Sequence, residues 1–391
     1  MRRPRVVDFS THVSGPLAAN LLGQLGADVI KVENPSTGDT NRYVPPFVGG
    51  MGLLHWALNT GARSLAISRH SPRWSEVIAS CAKWADVAIV GMRPKDAHTL
   101  GIDFLSLTKH NPDLLYCSIT GYGEHGPWAE YVGHGINFDA RAGMLPVEVT
   151  ATAANMRPEY VVPVGTTLAG VLGALGVFAG LYQREHGNGA QYVDVSIWHA
   201  AMWWNMRNLI AIANLGHPLP PYSEFGSRYS LYRTLDGRAI LVAPIERKFW
   251  EEFCEVIGLP ESAKSQGDWA TGMDWGKGNQ TEQRAIAELV SKRTLEDWTA
   301  RLARTQVPFA PVLTAQEALA SDHARAEHVL GRVESGELVP RLAVNISKGP
   351  DAELDEGAPR PPGLGEHSAE ILQEIGLAHL RTELDEGRLL A

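Results

Sequence analysis

The sequence predicts an α/β protein: a Rossmann-like, doubly wound large domain followed by a smaller α+β domain. Three observations carry this reading. Early in the chain, strand-like and helix-like stretches alternate as βαβ units, which implies a parallel sheet. After about residue 215 that texture gives way, past a break at Pro218, Pro220 and Pro221, to a hairpin and then helices. The chain has 391 residues, more than one hydrophobic core normally serves. Domains are therefore expected at residues 1–215 and 216–325.

The elements follow in order. Residues 5–9 (Arg-Val-Val-Asp-Phe) form a short buried strand, and residues 10–16 a loop containing Ser14-Gly15-Pro16. A helix over 17–25 is closed by Gly26, and a strand over 28–32 ends in Lys31-Val32-Glu33. The alternation repeats with strands at 64–67 and 87–90 around a helix at 74–84, then a strand at 114–120. In such sheets ligands sit beyond the carboxyl ends of the strands, here near Ser14, Gly91 and Gly121. Past the Pro-rich break, 229–236 and 239–244 pair about Gly237, and helices are expected at 249–257, 282–290 and 295–305. A Pro/Gly-rich connection at 357–365 leads into a helix at 367–375.

Residues 161–182 are uncharged, with small residues at Ala169, Gly170, Gly173, Ala174, Gly176, Ala179 and Gly180. Three readings compete for this stretch. Its length suits a bilayer span, and its small residues suit close helix packing in a membrane. A helix hydrophobic all round is also what complete burial in a large soluble protein requires. In the third reading its N-terminus, near Gly165–Thr167, lies against a ligand. A lone apolar run in a chain that is 20% charged favours burial, so no membrane partner is expected.

Hydrophobic residues make up 44% of the chain and the formal net charge is -9, which argues against a nucleic-acid partner. Cys81, Cys117 and Cys254 are an odd, scattered set without metal-ligand spacing, so neither a disulfide framework nor a metal is expected, and a reducing compartment fits. The opening MRRPRVVDFS has no apolar signal segment, so the cytoplasm is expected.

The chemistry-bearing residues are few. The first βα turn carries Ser14-Gly15-Pro16 rather than GxGxxG, so a dinucleotide fingerprint is absent. Gly121-Tyr-Gly123 with Gly126-Pro127 is a glycine-rich loop after a strand; it either exposes N–H groups to a ligand or simply turns the chain. Arg93 follows another strand and suits a phosphate or plain solvation. Arg63, Arg69 and His70 suit an anion patch or mixed surface charge. His134, flanked by Gly133 and Gly135, has the side chain of a general acid/base near neutral pH. Glu246, ending a strand, is a weaker candidate of the same kind. GxSxG, P-loop and HExxH motifs are absent.

Gly15-Pro16, then Leu25-Gly-Ala-Asp-Val-Ile-Lys-Val-Glu33, with Gly38-Asp39 and Arg42, resemble the opening of class III CoA-transferases, the CaiB/BaiF family. The likeness continues through Arg93-Pro94, Leu100-Gly101, Ile119-Thr-Gly-Tyr-Gly123, Gly126-Pro127, Arg184 and Gln191-Tyr-Val-Asp-Val-Ser196. It runs on through Asp236-Gly237-Arg238, Val307-Pro308, Ala310-Pro-Val312 and Leu364-Gly-Glu-His367, in family order along the whole chain. The resemblance implies that residues 326–391 return to the large domain and that two chains thread through each other as an interlocked dimer. It implies coenzyme A or acyl-CoA as substrate, together with a small carboxylic acid. CoA contacts are then expected at Ser14, Gly15, Arg42, Arg69, Met92, Arg93 and Gly123. Gly133-His134 with Ile136-Asn-Phe138, and Pro244-Ile-Glu246 with Phe249, resemble the α-methylacyl-CoA racemase branch, where the histidine is a catalytic base.

One departure stands out. Transferases of the family use an aspartate that is acylated during turnover, and counting back from Arg184 places it at Gly165 or Thr166. No Asp or Glu lies between Tyr160 and Gln183; Glu159 comes nearest. Gly135 stands where racemases often carry an aspartate, and Asn34 and Thr99 replace basic residues common at the CoA phosphates. Two function classes follow. One is a CoA-transferase in which His134, Glu246 or Glu159 substitutes for the aspartate, Thr166 standing at or next to its place. The other is a non-catalytic subunit partnering a catalytic paralogue.

Overall fold

The computed structural model describes residues 2–145, 163–187, 191–219, 225–344, 346 and 357–389. The chain divides into two compact units, Met1–Ile210 with His328–Ala391, and Ala211–Glu327.

The first unit is built on a six-stranded parallel sheet. Its strands are β1 (Arg5–Asp8), β2 (Asp28–Glu33), β3 (Arg63–Ala66), β4 (Val87–Val90), β5 (Leu115–Thr120) and β6 (Tyr192–Ser196). Their order is β3-β2-β1-β4-β5-β6, every neighbouring pair parallel. This is the doubly wound order that reverses between β1 and β4. The central strands read as continuous apolar runs because both faces are covered. Val7, Ile30, Leu65 and Ala88 point into one core, and Val6, Val29, Val87 and Ile89 into the other.

The first core is closed by helix α2 (Trp74–Trp84) and the C-terminal helix Ser368–Glu374. His367 N–H donates to Ser64 O, Ala66 N–H to Ser368 Oγ, and Trp84 Nε1 to Glu374. The second core is closed by helices α1 (Ser14–Gln24), α3 (Ile136–Arg141), α4 (Val164–Glu185) and α5 (Ile197–Trp204). Ser14, Gly15 and Pro16, expected in a loop, form the first turn of α1 instead. Proline lacks only an N–H that a first helical turn does not use, so Pro16 starts the helix sooner than its loop-like composition suggests.

Helix α4 is the one segment among the described residues long and apolar enough to cross a membrane. It packs in the second core, and its small residues explain how. A Cβ on Gly170 would stand 2.8 Å from Ser14 O and 2.9 Å from Leu17 Cβ; one on Gly173 would stand 2.6 Å from Ile119 Cδ1. Complete burial is not what the chain alone provides. Val171, Leu175, Phe178 and Tyr182 form an exposed row at helical spacing.

The second unit is an antiparallel sheet of β7 (Ser230–Arg233), β8 (Ala239–Val242) and β9 (Phe309–Pro311), in the order β9-β8-β7. Helices α6 (Arg247–Ile257), α7 (Gln280–Val290) and α8 (Leu295–Leu302) cover it through Phe253, Ile286 and Trp298. Arg228 is fully buried there, ion-paired to Glu282 and Asp274 and lying over the rings of Trp250 and Trp269. The loose polar link expected at 264–280 supplies two of these partners, Trp269 and Asp274.

Candidate active site

At the sheet's reversal point, the turns leaving β1 and β4 meet. A Cβ on Gly91 would stand 2.6 Å from Ser10 Cβ, and one on Gly15 would stand 2.1 Å from Ser10 Oγ. Both glycines leave room for the Ser10 side chain, which a Cβ at either position would strike. Beneath the turn after β1 lies a buried charge cluster. Lys31 Nζ is 3.1 Å from Asp8 Oδ2 and 3.3 Å from Asp39 Oδ2, and donates to Ser10 O at 2.9 Å. Burial opposes charging Lys31, but Asp8, Asp39 and Glu33 outweigh it and hold the ammonium above its ordinary pKa. Breaking such a pair typically costs about 3–5 kcal/mol, because the remaining charge is stranded.

The cluster fixes the turn it supports. His12 N–H donates to Asp39 Oδ1 at 3.3 Å, and Asn41 Nδ2 donates to His12 O. His12 is thereby held at φ 72°, a left-handed conformation unusual for a residue with a side chain. Its ring stacks toward His134, with centroids 5.7 Å apart and planes 9° from parallel. His12 Nδ1 lies 3.0 Å from Thr11 Oγ1 and 3.4 Å from Thr40 Oγ1. Burial lowers the His12 pKa; Asp39 opposes this, and His134 and Lys31 reinforce it. The His134 ring makes no hydrogen bond among the described residues, while its backbone N–H is tied to Asn137 Oδ1 at 2.8 Å.

Two residues after His12, Ser14 Oγ donates to Thr166 O at 2.8 Å, joining α1 to the first turn of α4. Thr166 Oγ1 donates back to Pro163 O at 3.0 Å. Gly165 N–H donates to Asp139 Oδ1 at 2.9 Å; the other carboxylate oxygen of Asp139 is buried and unbonded among the described residues. A Cβ on Gly165 would stand 3.0 Å from both Ala201 Cβ and Ile197 O, so a side chain there requires these neighbours to shift. Of Gly165 and Thr166, the two positions expected to correspond to the family's aspartate, only 166 already carries a side chain in this packing.

The expected residues thus divide. Ser14, Gly15, His134 and Thr166 lie in one unit with His12 among them, and Glu246 belongs to the other unit, capping α6 without a side-chain bond. Glu159 lies outside the described residues. Arg42, expected at CoA, is buried instead, its guanidinium on both Glu33 oxygens and on Pro362 O. Arg63, proposed for an anion patch, is ion-paired to Asp28, Glu370 and Glu374. Arg69 is exposed beside His70, Arg93 pairs with Asp96 at 2.8 Å, and Met92 packs on the first core. Gly123 has φ 90° and donates its N–H to Thr120 Oγ1. Burial pushes the Cys81 and Cys117 thiols up to about 12, which removes both as thiolate nucleophiles near neutral pH. His12 and Asp139 were not singled out from sequence. Only His12's place before Ser14-Gly15 hinted at a role, and nothing in the sequence forecast its φ.

A family model described as CoA-transferase family III matches residues 2–368. The chain is 27% identical over 398 residues to the succinyl-CoA–L-malate CoA-transferase beta subunit of Chloroflexus aurantiacus, covering 95% of this chain and 93% of that protein. It is 29% identical to the succinate–glutarate CoA-transferase of Agrobacterium fabrum, covering 95% and 94%. Among solved structures, a CaiB/BaiF family protein from Brucella suis superposes with a TM-score of 0.78 at 24% identity, covering 95% of this chain and 98% of that one, a likeness of fold.

Proposed function

The chain belongs to CoA-transferase family III, and from that premise we propose that it transfers CoA between carboxylic acids at the crevice above β1 and β4. The match along nearly the whole chain carries this reading, supported by the Ser14–Thr166 hydrogen bond and by the stacking of His134 on His12 beyond β1. The relatives act, by name, on succinyl-CoA with malate or on succinate with glutarate, which suggests dicarboxylic acids as the first acceptors to try. Ser14, Gly15, Met92, Arg93 and Gly123 are proposed to line the CoA path. Arg69 offers an exposed cation for the phosphates. The cytoplasm suits such a reaction.

The absent carboxylate at Gly165 and Thr166 favours a second reading, a subunit that needs a catalytic paralogue. The Chloroflexus relative is itself named a beta subunit. In either form we propose an interlocked dimer; the exposed row Val171, Leu175, Phe178 and Tyr182, with Trp203 and Trp204, supports it. The test combines calorimetry with CoA and succinyl-CoA, native mass, and chromatography of CoA esters after incubation with malate, glutarate or oxalate. New CoA esters from the purified chain support an autonomous transferase. CoA binding without transfer favours the subunit reading. No binding by the folded chain refutes the enzyme reading and points to a non-catalytic partner subunit.

A further inference from the structure

The crevice holds no carboxylate at position 166, but it holds two imidazoles, and water is a nucleophile that needs only a base. From this pair we infer that the protein hydrolyses acyl-CoA thioesters, with His12 as general base and His134 as general acid; the inference rests on acyl-CoA occupying the crevice as proposed above.

Four observations carry it. His12 sits at the carboxyl end of β1, beside the reversal point where doubly wound sheets bind ligands. Its backbone is strained to φ 72° and pinned from both sides by Asp39 and Asn41, over an ion cluster whose Lys31 also holds Ser10 O. His12 Nδ1 lies within reach of the Thr11 and Thr40 hydroxyls, and in the tautomer that donates to them from Nδ1 the Nε2 lone pair is the proton acceptor. The His134 ring faces it at 5.7 Å, and two protonated imidazoles at that separation repel. The charged groups acting on His12 are Asp39, which favours its protonation, and His134 and Lys31, which oppose it together with burial. The balance keeps His12 neutral and able to act as a base where an ordinary histidine begins to charge.

The step balances without any further reactant. His12 Nε2 takes a proton from water as the oxygen attacks the thioester carbonyl. The tetrahedral intermediate then collapses, and the C–S bond breaks with its electron pair on sulfur. Protonated His134 gives its proton to the sulfur, and solvent returns the proton from His12 to His134. One acyl-CoA and one water become one carboxylic acid and one CoA thiol.

The test is thiol release from acetyl-CoA and succinyl-CoA by the full chain without acceptor acid, followed across pH 5 to 9. The wild type should release thiol with a kcat/KM that falls on the acidic side as His12 is protonated. His12→Asn, a residue that also tolerates positive φ, should cut the rate at least about 100-fold and remove the acidic limb. His134→Gln should lower thiol release by a comparable factor. Calorimetry with CoA on the same samples separates the failures. CoA bound without thiol release, or release with an unchanged profile in His12→Asn, overturns hydrolysis and leaves the transferase reading standing. Absence of both binding and release overturns the two together.

Discussion

Replacing Gly170 by alanine tests whether α1 and α4 are held at backbone contact, the arrangement that brings Ser14 to Thr166. The added Cβ would meet Ser14 O at 2.8 Å and Leu17 Cβ and Cδ2 at 2.9 Å. The first is backbone and cannot rotate away, so the helices must separate by a few tenths of an ångström. Overpacking of this kind costs about 1–3 kcal/mol, and alanine returns about 1 kcal/mol through helix propensity. The net loss is about 0–2 kcal/mol, up to roughly 6 °C in the unfolding transition of the first unit. Gly23→Ala in α1 is the matched control. Its Cβ would meet Val29 Cγ2 at an ordinary 3.4 Å, so it should gain up to about 1 kcal/mol. Thermal unfolding of the two variants side by side decides the matter. A Gly170→Ala protein as stable as Gly23→Ala would refute the close approach and the positioning drawn from it.

Three further outcomes are expected. Thr166→Asp should support acyl transfer to an added carboxylic acid, detected as a new CoA ester, whereas Gly165→Asp should lower the melting temperature because Ala201 and Ile197 O would have to shift. Acid should destabilise the first unit in two windows. Burial, reinforced by Arg42, lowers His55 to about 4. Its contribution is whole above pH 6.5 and falls as the pH drops toward 4, since the unfolded histidine binds the proton first. Burial alone would raise Glu33, but the Arg42, Lys31 and Ser64 contacts bring it to about 2, so its contribution is lost between about pH 4.5 and 2. Urea unfolding at stepped pH should show the upper slope flattened in His55→Leu, and an unchanged slope would contradict the assignment. Arg228→Met should destabilise the second unit by about 3–5 kcal/mol by stranding buried Glu282, and Arg228→Lys should not rescue it, because a point charge cannot serve two carboxylates and two rings; a melting temperature restored by lysine would count against that account.

The sheet was legible in sequence because burial on both faces writes a strand as an apolar run. Residues 87–90 and the helix at 74–84 stand where the pattern put them. The family was legible because its marks are short local strings. The partners of long cationic side chains were not legible. Arg42 and Arg63 look like phosphate ligands until the fold brings Glu33, Pro362 and Glu370 to them, and no local pattern records a contact across some 300 positions. His12 escaped notice for a related reason. A positive φ on a non-glycine residue is imposed by tertiary bonds, here from Asp39 and Asn41, and leaves no compositional trace. Helix α4 read as buried on all sides because small and apolar residues ring it, but in the chain alone one row faces outward.

The return of the C-terminal helix Ser368–Glu374 to the first core sets an order in time. Val7, Leu65 and Ala88 are made early, but Ile371, Leu372 and Leu389, which close their core, are made last. Synthesis runs at roughly 5–20 residues per second, so the first unit waits on the order of ten to thirty seconds after residue 210 for its closing helix. The second unit, begun later, is complete in sequence sooner. During that interval the nascent first unit exposes the apolar face of its sheet, the period when a chaperone has most to cover.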